Sequence, residues 1–168
     1  MDRGKNELCL ACGLCCQGYL HSKAALGDME RSRAKMLNME ISEKKGKFFF
    51  VLPCPHHRRN FCTIYEERFN VCRRYKCALL EKWSCGEVSW DSALEIIETV
   101  RAQFQCVRRK SPVPLPSLTI KALSDAVRQI EEDTESPGFR EEHREFLLGL
   151  TILKLSLDRF FYLPSKGS

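Results

Sequence analysis

Four thiols stand within eight residues in the run Cys9-Leu-Ala-Cys12-Gly-Leu-Cys15-Cys16, at steps of three, three and one. Two consecutive C-x-x-C steps let one short backbone turn aim several sulfurs at a common point. A packed apolar core gains nothing from that density of small, reactive side chains, whereas soft thiolates are the ligands that select zinc and iron–sulfur clusters. A second region supplies four more, at Cys54, Cys62, Cys72 and Cys77. The two remaining cysteines stand apart. Cys106, between Phe104 and Val107 in a helical pattern, reads as a small buried hydrophobe. Cys85, ahead of Gly86, reads as a thiol outside the set.

Three chemistries could use the eight. Structural zinc usually takes two C-x-x-C knuckles, and the second region, with seven, nine and four residues between its cysteines, has no such spacing. C-x-x-C-x-x-C is the core of a run that holds 4Fe–4S clusters, with a fourth thiolate arriving from far away in sequence. Cys54, distant and followed by Pro55, fits that role, while Cys16, adjacent to Cys15, departs from the run. Thiol redox chemistry on the adjacent pair would suit a strained, easily reduced disulfide but leaves six thiols unexplained. Adjacent side chains point in different directions, so Cys15 and Cys16 serve one centre as ligand and support, or two centres. On these grounds an iron–sulfur cluster is preferred narrowly over zinc, and eight cysteines, Cys9, Cys12, Cys15, Cys16, Cys54, Cys62, Cys72 and Cys77, are the candidate metal ligands.

Composition supports a metal over disulfides. The N-terminus Met1-Asp-Arg-Gly-Lys-Asn-Glu is polar, with no apolar signal region, and no apolar run reaches the ~18 to 20 residues that span a bilayer. A cytoplasmic protein is therefore expected, with no membrane partner. In a reducing compartment clustered cysteines point to metal or catalysis. The net charge of +5, from 27 Lys and Arg against 22 Asp and Glu, is diffuse. Its short clusters, Arg58-Arg59, Arg73-Arg74 and Arg108-Arg109-Lys110, lack interleaved aromatics, so they read as solvated surface and not as a nucleic-acid site.

The elements that must position the thiols can be read in outline, and a mainly α fold is expected. Gly13 and Gly18 relieve the backbone where the sulfurs crowd. A helix is predicted from Asp28, as N-cap, to about Asn38, with Met29, Ala34, Met36 and Leu37 apolar. Ser42 to Lys47 reads as a turn, and Phe48 to Leu52 as the one short strand. Prolines around Cys54 exclude a regular helix there. Thr63 to Arg68 is expected as a helical turn, and Arg73 to Trp83 as a helix. From residue 89 the pattern becomes plain helical packing. One helix opens at Ser89 or Asp91 and runs to about Lys110. A second is capped by Ser117 after the proline-rich link 111–117 and runs to Asp133. The longest, opened by Ser136-Pro137, runs from about Gly138 to Leu163. The expectation is one domain, 1–168, in which an irregular cysteine-rich metal-binding part (1–88) packs on a helical part (89–168).

With these residues in view, the sequence resembles the CxxCxxCC cysteine-cluster family of YkgJ-type zinc- or iron-chelating proteins. The resemblance rests on Cys9-x-x-Cys12-Gly-x-Cys15-Cys16, Pro53-Cys54-Pro55, Cys62-x-Ile64-Tyr65-Glu66-x-Arg68 and Cys72-Arg73-x-Tyr75-x-Cys77, and spans roughly residues 9 to 77. It implies metal binding and no settled reaction. The family usually has proline after Arg68, where this chain has Phe69. One branch looks like flagellin lysine-N-methylases, which are longer and are associated with an iron–sulfur cluster. This chain has no glycine-rich nucleotide loop after a strand, so methyl transfer is not carried over.

Place in the motif gives Tyr65, Arg68 and Arg73 a supporting role, as sources of hydrogen bonds and positive charge around thiolates. Arg74, beside Arg73, reads equally as a supporting charge or as plain surface. His56 and His57, in a polar loop with Arg58 and Arg59, read as solvated and not as ligands. No catalytic residue is assignable: no defensible Ser/His/Asp order, no H-E-x-x-H and no P-loop is present.

Overall fold

A computed structural model of the chain describes residues 3–59, 61–112, 119–133 and 138–162. Helices dominate it, as expected from the sequence, but the N-terminal half is less irregular than its composition implies. Helix α1 (Arg3–Cys12) carries the first two cysteines. Beyond it the chain turns through Gly13 and Gly18, both at positive φ (59° and 77°), which only glycine adopts without strain.

The sequence predicts at most one short strand. The described residues hold five: β1 (Lys23–Ala25), β2 (Ile41–Lys44), β3 (Lys47–Val51), β4 (His57–Arg58) and β5 (Phe61–Cys62). Strand β3 is central in an antiparallel sheet ordered β1-β3-β2, and β4 pairs with β5 in a separate ribbon. Strand β2 lies inside the segment read as a turn. The turn itself is only Lys45-Gly46, both at positive φ (52° and 71°), the left-handed backbone that a two-residue hairpin loop requires. Strand β2 escapes pattern reading because three of its four residues are polar.

The predicted helix from Asp28 is shorter than expected. A 3₁₀ turn (Asp28–Glu30) leads into α2 (Arg31–Met36), and Gly27, not Asp28, is the capping residue. Of its apolar residues Ala34 is fully buried, while Met29 and Met36 are 94% and 76% exposed. The segment from Thr63 to Arg68 forms turns and no helix. In place of one helix from Arg73 to Trp83 there are two, α3 (Asn70–Arg74) and α4 (Ala78–Ser84). Tyr75 and Cys77 have extended backbones between them (ψ 132° and 164°), which makes Cys77 the residue capping α4.

The C-terminal half follows its pattern closely. Helix α5 (Trp90–Lys110) starts where Ser89 accepts a hydrogen bond from the Ser92 amide at 3.1 Å. It buries Ala93, Ile97, Val100, Phe104 and Val107 along one face. Helix α6 (Ile120–Asp133) begins with Thr119 Oγ1 accepting from the Ala122 amide at 3.1 Å. The predicted cap Ser117, the link 113–117, the Ser136-Pro137 start and Leu163 all lie outside the described residues. The last predicted helix is divided into α7 (Phe139–Glu142) and α8 (Arg144–Phe160) by His143, whose φ and ψ of −108° and 20° are not helical. At 17 residues α8 is shorter than α5, which has 21. Helices α5 and α8 cross closely at Gly149, where an added Cβ would meet Val107 Cγ2 at 3.4 Å. No described helix is long and apolar enough to cross a membrane.

Two hydrophobic clusters result. The larger joins α1 and the cysteine loop (Leu8, Leu14, Tyr19, Leu20) to α4, α5, α6 and α8. Tyr19 stacks on Phe104 at 4.4 Å between centroids, and Tyr162 donates its hydroxyl hydrogen to the Leu20 carbonyl at 3.1 Å. The smaller packs Leu26, Ala34, Met39, Phe50, Leu52 and Phe69 between the sheet, α2 and α3. Phe69 occupies the position where the resembled family carries proline. Its φ of −58° is the value proline imposes, so the backbone turn is kept. Its ring, 1% exposed and 5.3 Å from Phe50, fills the smaller core. Truncation of a fully buried phenylalanine typically costs about 3–5 kcal/mol, so Phe69→Ala is expected to lower stability by that amount in urea unfolding. A change below about 1 kcal/mol would show that this ring is not a core anchor.

Candidate metal centre

One cavity of about 490 Å³ is lined by all eight candidate cysteines. Residues separated by up to 68 positions are thus brought to a common wall, while Cys85 and Cys106 lie outside it. Cys85 is exposed, its thiol directed to the Lys82 carbonyl and Glu87. Cys9 and Cys72 are exposed as residues although their sulfurs are largely buried, which places them at the mouth of the cavity. All ten thiols are free. Among the described residues no three Cys, His, Asp or Glu side chains already close on a common point as a metal-holding group.

Each element places its sulfur for a local reason. Cys9 and Cys12 are three residues apart on α1 and share a face. Cys15 and Cys16 follow in the turn opened by Gly13. Cys54 sits after Pro53, its amide donating to the Cys16 carbonyl at 2.7 Å, so the two cysteine regions are bonded directly through backbone. Cys62 on β5 stands opposite His57 on β4. Cys72 lies on α3, whose first amide, that of Asn70, donates to Glu30 at 2.8 Å. Cys77 caps α4, its sulfur accepting from the Leu80 amide at 3.4 Å.

The electrostatics of this wall are unfavourable for bare thiolates. Burial, then the neighbouring Cys77, raises the Cys9 thiol from its ordinary 9.0 to about 11, against a lowering by Arg68. Burial raises Cys12 and Cys16 to about 12, with other cysteines adding to it, and the same holds for Cys72. Cys15 is pushed well above the ordinary value by burial and then by Cys12, Cys77, Cys16 and Cys9. Cys54 and Cys77 are raised by burial but opposed by backbone N–H groups. A bound cation reverses this balance, because it pairs with the thiolates and displaces their protons. The donor set, eight soft ligands whose mutual repulsion a cation relieves, therefore fits thiophilic zinc or iron.

Three of the weighed supporting residues also line the cavity: Tyr65, Arg68 and Arg73. Arg73 donates to the carbonyls of Arg68 (2.8 Å) and Glu66 (2.5 Å), which stitches the turn between Cys62 and Cys72. Arg68 lies over the Tyr65 ring at 4.0 Å, and its charge reaches both Cys9 and Cys72. The Tyr65 hydroxyl is buried without a hydrogen-bond partner. Arg74 is exposed. The two histidines separate. His56 is engaged at both ring nitrogens, by Thr63 Oγ1 at 3.2 Å and the Leu37 carbonyl at 2.9 Å. His57 instead lines the cavity, with Nε2 buried and unpartnered against Gly13, where an added Cβ would lie 2.4 Å away. Burial, then Arg101, lowers its pKa below 6.5, so its ring is neutral at neutral pH.

Two further residues, Tyr75 of the motif and Arg101, carry no role in the sequence reading. Tyr75 lines the cavity, and burial, then Cys15 and Cys77, raise its hydroxyl pKa. Arg101, on α5, donates to the Ala11 and Cys12 carbonyls at 3.0 and 2.5 Å. It thereby closes the C-terminal end of α1 with a positive charge, where the helix dipole favours one. In sequence Arg101 is one more basic residue on an amphipathic helix, and only the packing of α1 on α5 reveals its role.

Comparison with protein families matches residues 8–102 to the model named CxxCxxCC, described as a "Putative zinc- or iron-chelating domain". The chain belongs to the CxxCxxCC family. The match covers both cysteine regions and reaches Arg101 in α5. No curated protein and no solved structure matches.

Two predictions follow from this geometry. Arg101→Ala removes the clamp on the end of α1 without touching a thiol. Loss of such a supporting contact typically costs 10–100-fold in metal affinity, so competition with a chelator is expected to show at least a roughly tenfold loss. Unchanged retention would reduce Arg101 to a packing residue. The second concerns pH. In the metal-free protein Cys9, Cys12, Cys16 and Cys72 hold protons more tightly when folded than in an unfolded chain. Their contribution to stability is present below about pH 9 and is lost as pH rises through the raised values toward 12. Thermal melts of the metal-free protein should therefore fall between pH 9 and 11, and melts that stay level would contradict the burial of these thiols.

Proposed function

We propose that the protein binds metal through a multi-cysteine thiolate cluster, as an iron–sulfur centre with a redox or cofactor-supporting role. The observation that carries this reading is that eight cysteines from two distant regions line one cavity while the other two lie outside it. The candidate ligands are Cys9, Cys12, Cys15, Cys16, Cys54, Cys62, Cys72 and Cys77. Iron–sulfur is preferred because Cys9, Cys12 and Cys15 keep the C-x-x-C-x-x-C spacing and distant thiols line the same cavity; Cys77, packed on the larger core with Cys12 and Cys15, suits the fourth place better than Cys54, to which the sequence alone gives it. Arg68, Tyr65 and Arg73, with Tyr75 and His57, border the site as charge and hydrogen-bonding groups. When bound, such a cluster supplies one-electron chemistry, and the chain's part is to hold, shield and tune it.

A second reading, a zinc module that fixes the fold for partner binding, is favoured by one feature. Cys12, Cys15 and Cys77 pack against the larger core and Cys54 against the smaller, so metal here would bolt the two cores together. Anaerobic purification with iron, zinc and acid-labile sulfide analysis separates the two. Brown protein with iron and sulfide supports the first; colourless protein with stoichiometric zinc and no sulfide overturns it for the second. Cys72→Ser is expected to lose metal and Cys85→Ser to keep it. Full metal content in Cys72→Ser would contradict a site built from both regions.

A further inference from the structure

We propose that the eight thiols form two centres of four: Cys9, Cys12, Cys15 and Cys77 hold one, and Cys16, Cys54, Cys62 and Cys72 the other. The proposal rests on the metal-binding reading above and deepens it. Family membership names a chelating domain and says nothing of how the thiols are shared.

The first argument is which framework carries each sulfur. Helix α1, with Cys9 and Cys12, packs more extensively on α4, which Cys77 caps, than on β5, which carries Cys62. Cys12, Cys15 and Cys77 all touch the larger core. The second set is built on the other core. Cys54 packs against it, and the neighbour of Cys72, Val71, does too. The His57 amide donates to the Cys54 carbonyl at 3.1 Å, and His57 faces Cys62 across the β4–β5 ribbon. Cys16 joins this set through its carbonyl, which accepts the Cys54 amide at 2.7 Å.

Coordination chemistry then sets the number in each set. A zinc ion takes four tetrahedral ligands, and a cubane cluster takes four thiolates. Eight thiolates on one ion would be twice what either uses. The division also explains the adjacent pair. Side chains of consecutive residues diverge, so Cys15 and Cys16 face different centres across a single peptide bond. Arg68, over the Tyr65 ring, lines the cavity that both sets share.

The test uses the metal-loaded protein, isolated without oxygen. Metal is withdrawn stepwise with a chelator, released thiols are pulsed with iodoacetamide, and labelled positions are read by mass spectrometry. When about half the metal has left, one set of four should be labelled together while the other stays protected. Labelling of all eight in one step, or of Cys16 together with Cys15 in a mixed set, would overturn the partition and leave metal binding standing. Protein that holds no metal and takes up neither zinc nor iron with sulfide would overturn the metal reading itself, and the partition with it. Paired variants add a second measure. Cys12→Ser with Cys77→Ser should retain about half the metal, an about twofold loss, and Cys12→Ser with Cys54→Ser should retain far less. Equal loss in both pairs, with helicity by circular dichroism preserved, would contradict two centres.

Discussion

The constraint on which this structure depends is the crowding of eight thiols around one partly solvent-open cavity. Burial, with repulsion from neighbouring thiols, holds the protons on Cys12, Cys15 and Cys16 well above the ordinary thiol range. The fold accepts this cost in order to gather side chains from two regions of the chain onto one wall. Such an arrangement becomes favourable when a cation takes the place of the protons. Backbone geometry is set to serve it. Positive φ at Gly13 turns the chain between Cys12 and Cys15, and the extended residues between α3 and α4 bring Cys77 to a helix start.

Around this cavity two hydrophobic cores meet. The larger belongs to α5 and α8 and draws in α1; the smaller belongs to the three-stranded sheet and α3. The Cys54 amide to Cys16 carbonyl bond joins the two cysteine regions through backbone. Metal–thiolate bonds here would add folding free energy across the seam between them. The same geometry serves a redox centre or a structural one. The chelating family to which the chain belongs is consistent with both.

Much of the site was legible because cysteine spacing carries chemistry directly. Helix α5 was legible because Ser89 caps a clean apolar stripe, and β3 because three phenylalanines precede a valine. Other features left no local trace. Strand β2 is mostly polar and is fixed by its partner β3 and the Lys45-Gly46 turn, not by its own pattern. Met29 and Met36 look like core residues of an amphipathic helix, yet α2 is too short to bury more than Ala34. Phe69 replaces proline with the same φ and adds a ring to the core, which no motif comparison foretells. Arg101 and His57 matter only through partners 89 and 44 residues away, Cys12 and Gly13, so their roles are products of packing.

Diffraction from crystals of the anaerobically purified protein, recorded at the absorption edge of the bound metal, tests the central claim most directly. Anomalous peaks are expected inside the cavity walled by Cys12, Cys15, Cys54 and Cys72, with sulfur ligands at roughly 2.3 Å. Peaks at Cys85 or Cys106, or a cavity without metal in protein that retains its metal in solution, would contradict it.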